Sequence, residues 1–273
     1  MNRYNFYVLI IFLLSDAIAA MAAVSSDTIV ELSSPSGITI DGDPQPVQRV
    51  RVGADRTSYG LSHGANGSWD VVVRGFMFGF VDGAGAPPSV DIEMGRSFEF
   101  AGLQLLGVRY STPSQNTMIS AGIGIDWRNY KMTGADVRFI PDGDGHLTTG
   151  PYPEGVNARF SRLKVFSLGF PFLIEQKFPF RVPGNARFSI TAGVVLNYNA
   201  HASSKTEWVD TESNRVDEYC GSIGHRRFTV DFIGIVRFCK FAGLYVKYSP
   251  QTVLCGSINP RFRSLSTGII CFY

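Results

Sequence analysis

The sequence predicts an all-β protein: an eight-stranded antiparallel transmembrane β-barrel of the outer-membrane type with a short N-terminal periplasmic segment. Three observations predict it. Apolar residues alternate with small or polar ones through runs such as Thr117–Trp127 and Phe188–Tyr198, longer than the ~5–6 residues of an ordinary strand and matching the ~9–11 of a tilted spanning strand. The connections between such runs alternate long and short. Finally, the chain opens with a secretory leader, and no later stretch approaches the ~20 apolar residues of a spanning helix.

The leader occupies residues 1–22. Arg3 supplies a short basic region, Phe6–Leu14 an apolar core, and Ala17-Ile18-Ala19 and Ala20-Met21-Ala22 small-residue cleavage sites. Residues 23–68 are polar and rich in turn formers ("SSPSG", "DGDPQP", "SHGANGS"), and read as a periplasmic linker or appendage. The barrel is expected over 69–273.

Its strands fall at 69–81, 97–110, 117–128, 162–177, 187–199, 227–238, 242–249 and 264–273. In the third, Thr117, Ile119, Ala121, Ile123, Ile125 and Trp127 share one face, with Met118, Ser120, Gly122, Gly124, Asp126 and Arg128 on the other. In the sixth, Phe228, Val230, Phe232, Gly234, Val236 and Phe238 alternate with Arg227, Thr229, Asp231, Ile233, Ile235 and Arg237. A soluble sandwich would bury the apolar face, whereas a membrane barrel turns it to lipid. Strand length favours the barrel. A Gly/Pro loop at 82–96, long loops at 131–161 and 200–225 and a medium loop at 250–262 are expected at one end, which puts both barrel termini in the periplasm. The last strand carries Leu265, Ile269, Cys271 and Tyr273 outward, and a terminal aromatic there suits recognition by the barrel-assembly machinery.

The segments "IEMGRSFEF" (92–100), "ISAGIGIDWRNYKM" (119–132), "LKVFSLGFPFLIEQKFP" (163–179), "RFSITAGVVLNY" (187–198) and "SLSTGIICFY" (264–273) resemble the PorT-like small outer-membrane β-barrels of Bacteroidota. The resemblance covers Val90–Tyr273 and implies a transmembrane barrel in the outer membrane of a Gram-negative bacterium. It brings no catalytic motif, and neither the cysteines nor the N-terminal stretch belong to it.

The inward faces carry Asp126, Arg128, Arg227, Asp231, Arg237 and Lys247, joined by Arg74 and Glu175. Eight strands enclose just enough room for side chains, so these charges are expected to pair and fill the lumen rather than line a diffusion pore. A narrow transporter would instead need a water path past Arg128, Asp231 and Lys247. A lipid-modifying hydrolase or acyltransferase would need His201 or His225 beside Ser203 or Ser222 and Glu207, a Ser–His–acid set in the outer loops. Polar loops hold such residues anyway, and nothing resembles a nucleophile elbow. "PDGDGH" (141–146) lacks the remaining ligands of a calcium loop, so a turn is expected, with no metal and no cofactor.

Trp127, Tyr130, Tyr198, Phe238, Tyr248 and Tyr273 lie near strand ends, where interfacial aromatic girdles sit. Of the four cysteines, Cys220 and Cys255 fall at the outer side and Cys239 and Cys271 at the inner, so 220–255 and 239–271 are the sensible disulfides in an exported chain. A net charge of +2 with no basic cluster excludes nucleic-acid binding. The partners expected are outer-membrane lipid, the assembly machinery, and an envelope or host-surface protein met by the outer loops, in a structural, adhesion or secretion-complex role.

Overall fold

Twelve strands make up the computed structural model: β1 (Ser58–Gly64), β2 (Gly67–Ala84), β3 (Phe98–Ser111), β4 (Thr117–Lys131), β5 (Val137–Pro141), β6 (Leu147–Pro151), β7 (Asn157–Val182), β8 (Ala186–Val209), β9 (Arg215–Cys220), β10 (Phe228–Arg237), β11 (Ala242–Ser249) and β12 (Arg263–Cys271). The structure describes residues 58–64, 67–86, 90, 92–132, 136–142, 145–221, 223–255 and 260–272. The expected leader, residues 23–57 of the expected linker, Ser222 and Tyr273 lie outside them.

Eight of the strands form an antiparallel ring in the order β2-β12-β11-β10-β8-β7-β4-β3, closed by the pairing of β3 with β2. On one edge of β2, Phe76–Ala84 pairs with β12. On its other edge, Ser68–Phe80 pairs with β3. Each ring strand thus lies beside its predecessor and successor among the eight. One end of the ring carries the short turns at 112–116, 183–185 and 238–241, and the other carries the longer connections. Gly184 and Asn185 both have positive φ in the second turn, a conformation those two residue types tolerate best.

Period two sets the two faces. On β4, Ile119 (52% exposed), Ile123 and Trp127 point outward, while Ser120, Asp126 and Arg128 are buried inside. The same outward apolar face continues through Phe78, Phe172, Ile174, Phe232, Leu244, Val246 and Ile269, all close to half exposed. This is an inverted arrangement compared with a sandwich, whose apolar faces meet. Bulges on β2 between Val72 and Arg74, and on β3 between Gly102 and Leu106, interrupt the alternation at neighbouring places. Opposite the second, Gly124 lets the bulged backbone come so close that a Cβ there would clash, 2.5 Å from the Leu103 carbonyl oxygen.

Three parts differ from expectation. The stretches 131–161 and 200–225 are largely strand: β7 and β8 run past the rim as one long hairpin, β9 pairs with β8, and β5–β6 forms a separate hairpin. The reason is side-chain bonding that the alternation does not report. The Phe139 N–H donates to Ser161 Oγ (2.9 Å), and Thr206 Oγ1 donates to the Phe139 carbonyl (3.1 Å), seating the β5–β6 hairpin on the β7–β8 extension. The third difference is β1, inside the expected linker, which pairs with Gly67–Val72 of β2.

Candidate functional site

A charged cluster occupies the ring interior. Glu99 on β3, Asp126 and Arg128 on β4, Asp231 on β10 and Lys247 on β11 are each at most 4% exposed. Arg128 donates through Nε (2.9 Å) and Nη2 (2.7 Å) to Asp126 Oδ2, through Nη1 to Ser249 Oγ (2.8 Å), and to Asp231. Lys247 Nζ donates to Asp126 Oδ2 at 2.7 Å and pairs with Glu99. Asn197 Nδ2 donates to Asp231 Oδ2 (2.7 Å). Burial of ions this deep is costly unless each is paired and hydrogen-bonded, and the Lys247–Asp126, Lys247–Glu99 and Arg128–Asp231 contacts run across the lumen between strands that are not neighbours.

Two further pairs lie toward the short-turn end. Arg74 donates to Glu175 (2.6 Å) and Thr191 (3.3 Å), and Arg109 to Asp70 (3.3 Å). An apolar layer of Met77, Leu103, Leu173, Ile233, Ile235 and Tyr245 fills the space alongside. At the long-loop end a second apolar group closes the interior: Tyr130, Phe139, Leu147 and Leu163 are fully buried with Phe262, whose ring meets that of Tyr130 edge-on at 5.1 Å.

Asp126, Arg128, Asp231 and Lys247 therefore come together as the alternation predicts. Arg237 faces inward at the short-turn mouth, half-buried, its guanidinium 4.0 Å from the centre of the Phe272 ring. Arg227 does not join the lumen: it is exposed, because β10 begins only at Phe228 and the residue before it sits on the rim. Glu99 was missed, although Phe98 and Phe100 flank it in an alternating run. Tyr130 is not a girdle residue. Its even number places it on the Asp126–Arg128 face, where it is fully buried and its hydroxyl donates to Ser264 Oγ (3.0 Å). Trp127, Phe238 and Tyr248 lie on the outward face near strand ends, and Lys164 Nζ sits 5.4 Å above the Trp127 ring. Tyr198 instead lies in the middle of β8, because that strand runs on to Val209, and is level only with the start of β10 at Phe228.

The Ser–His–acid set is not assembled among the described residues. Both ring nitrogens of His225 face backbone carbonyls, Nδ1 that of Ile223 (2.7 Å) and Nε2 that of Asn199 (3.0 Å). Glu207 is held by Arg215 (2.7 Å) and Lys205 (3.8 Å). His201 is exposed, while Ser203 two residues on is buried. A histidine locked to two carbonyls has no lone pair directed at a serine. Cys239 and Cys271, expected to form one of the two disulfides, are thiols. Cys239 Sγ is turned to the Ala242 carbonyl (3.6 Å), and Cys271, the register partner of Ala242, is on the exposed face of β12, so the two thiols point differently. Among the described residues, no group of three or more His, Cys, Asp or Glu could hold a metal ion, and no helix is long and apolar enough to cross a membrane.

Compared with known protein families and with curated proteins, the chain matches none. The class that the fold itself defines is an all-β protein built on an antiparallel ring of eight strands with a filled, charge-paired interior.

Proposed function

We propose that this ring is a transmembrane β-barrel of the PorT-like type in the outer membrane of a Gram-negative bacterium, acting as an anchor rather than as a diffusion pore. One observation carries the reading: the apolar side chains face outward around the ring while the charges are paired within it. An exposed belt of Phe, Ile, Leu and Val of this extent suits hydrocarbon as its surroundings, and exceeds what monomers leave in water. The shorter ring strands, β10, β11 and β12, have 10, 8 and 9 residues, against the ~9–11 of a tilted spanning strand.

The part offered to partners is then the β7–β8–β9 extension with its β5–β6 hairpin, on the outer side. Its exposed ion pairs, Lys205–Asp217 and Arg215–Asp217, suit a polar contact with an envelope or host-surface protein in a structural, adhesion or secretion-complex role. The test is electrophoresis in SDS with and without boiling, on protein refolded in detergent. A heat-dependent mobility shift is the expected result. Protein that stays soluble without detergent and shows no shift would overturn the membrane reading.

A further inference from the structure

One sector of the rim at the long-loop end is crowded with arginine. Arg226 and Arg227 stand just before β10, and Arg261 and Arg263 stand at the start of β12, all four exposed. The β11–β12 connection helps enclose a pocket of about 910 Å³ between them, lined by Arg226, Arg261 and Arg263 together with Gln251 and Thr252, and by no carboxylate. The contrast with the ring interior is sharp: there Arg74, Arg109 and Arg128 each meet an acid, whereas these three guanidiniums make no ion pair with a described carboxylate. Asp82, an acid near the Arg263 end of the neighbouring strand, accepts instead from the Gly83 N–H (2.8 Å).

The backbone that carries these arginines is fixed. Arg226 donates its N–H to the Val253 carbonyl (2.7 Å), and its own carbonyl accepts from Asn199 Nδ2 (2.7 Å). Arg261 precedes Phe262, which is buried against Tyr130. Arg263 is held in register with Ala84, and Nη1 donates to the Tyr248 hydroxyl (3.4 Å). Three cations lining one pocket with no described carboxylate among its lining residues repel one another, and an anion with several oxygens relieves that repulsion. Guanidinium forks match the oxygens of a phosphate two at a time, and holding them in place beforehand lowers the cost of binding. On the same sector the outward face of the ring is apolar, with Phe228 against Tyr198 (5.4 Å between ring centres) and then Phe232, Leu244 and Val246.

From three guanidiniums with no acid partner among the described residues, above this apolar face, we infer that the pocket binds a phosphate group, carried by a lipid whose chains lie along β10–β12. The phosphate half of the inference stands on the pocket alone; the lipid half rests on the proposed membrane barrel.

The experiment is isothermal titration of the full chain in dodecylmaltoside micelles with dioctanoyl phosphatidic acid, with dioctanoyl phosphatidylcholine, and separately with inorganic phosphate. The wild type is compared with an Arg226→Gln/Arg261→Gln/Arg263→Gln variant. Wild type is expected to bind phosphatidic acid at least about ten-fold more tightly than the triple variant, and more tightly than phosphatidylcholine. Replacing the same three arginines by lysine keeps the charge but loses the fork, and is expected to restore part of the affinity. If inorganic phosphate binds as tightly as the lipid, the site is for free phosphate and the lipid half fails. Equal binding of phosphatidic acid and of phosphate by wild type and the glutamine variant, or no binding by either, overturns the proposal. The heat-dependent gel shift is read on every sample: a variant that keeps the shift but loses binding has lost the pocket alone. Wild type that lacks the shift and is soluble without detergent removes the membrane reading, while the phosphate titration, repeated in plain buffer, still decides the pocket.

Discussion

Lys247 on β11 and Asp126 on β4 are joined at 2.7 Å across the lumen, although four steps separate their strands in either direction round the ring of eight. Two residues so placed face each other across the full width of the interior. Their contact, with Arg128–Asp231 and Arg74–Glu175 on shorter chords, turns the lumen into a core.

Removing Lys247 leaves Glu99, Asp126 and Asp231 with Arg128 as their sole cation in the cluster. Lys247→Ala is therefore expected to cost about 3–5 kcal/mol, seen as a lower denaturant midpoint for loss of the folded gel band. A Lys247→Met/Asp126→Asn double variant should recover part of the loss, since the two residues act as a pair. A Lys247→Ala midpoint equal to wild type would show that the cluster contributes nothing.

A filled interior predicts no stable pore. Purified wild-type protein in planar bilayers is expected to show no steady ohmic conductance in neutral salt. Recurrent single-channel steps of constant size would contradict the packing of Met77, Leu173, Ile235 and Tyr245.

The outward face gives a test that separates lipid from water. Ile174 is 56% exposed on β7. In hydrocarbon, Ile174→Arg should destabilise by about 2–4 kcal/mol near mid-depth; in water an exposed position of this kind changes stability by within about 0.5 kcal/mol. Urea titration in micelles or vesicles distinguishes the two.

The cap predicts a graded pair of losses. Phe262→Ala removes a buried ring against Tyr130 and is expected to cost about 3–5 kcal/mol. Tyr130→Phe keeps the packing, removes only the bond to Ser264, and should cost about 1 kcal/mol. Equal effects from the two would mean that the long-loop end is not packed as described.

The β9 edge should loosen in acid. The hydrogen bond from Lys205, and then the Arg215 charge, hold the Asp217 carboxyl below its ordinary 3.8. Because its folded value is lowered, the stabilisation is present above about pH 4 and is lost as pH falls through the folded value. Amide exchange over Val216–Glu218, corrected for intrinsic rate, is expected to be less protected at pH 2.5 than at pH 6, and Asp217→Asn should abolish the difference.

The ring was legible in the sequence because alternation reports directly which residues face which side: Asp126, Arg128, Asp231 and Lys247 each interrupt an apolar run at an inward position. Glu99 carried the same signal between Phe98 and Phe100. Gln104 did not, since the β3 bulge places it inside out of phase. Tyr130 shows that nearness to a strand end says less than parity. The β5–β6 hairpin and β9 were hidden for another reason. They are short, and they are held by single hydroxyl bonds and by packing of residues distant in sequence, neither of which leaves a period. The arginine pocket is of that second kind, as its residues lie on two segments that only the fold brings together.

The small strand β1 has a mechanical consequence. β12 ends opposite Phe76, and β1 takes over the same edge of β2 from Val72 onward, so segments from both sides of the ring's sequence share one edge. Among the described residues, a pull from the N-terminal side reaches β1 first and loads its few bonds with β2. The next element, β2, is gripped along both flanks, and its bonds with β3 and β12 must yield before the ring opens. The ring thus carries a fuse on the N-terminal flank of β2: a weak link that yields before the closed ring does.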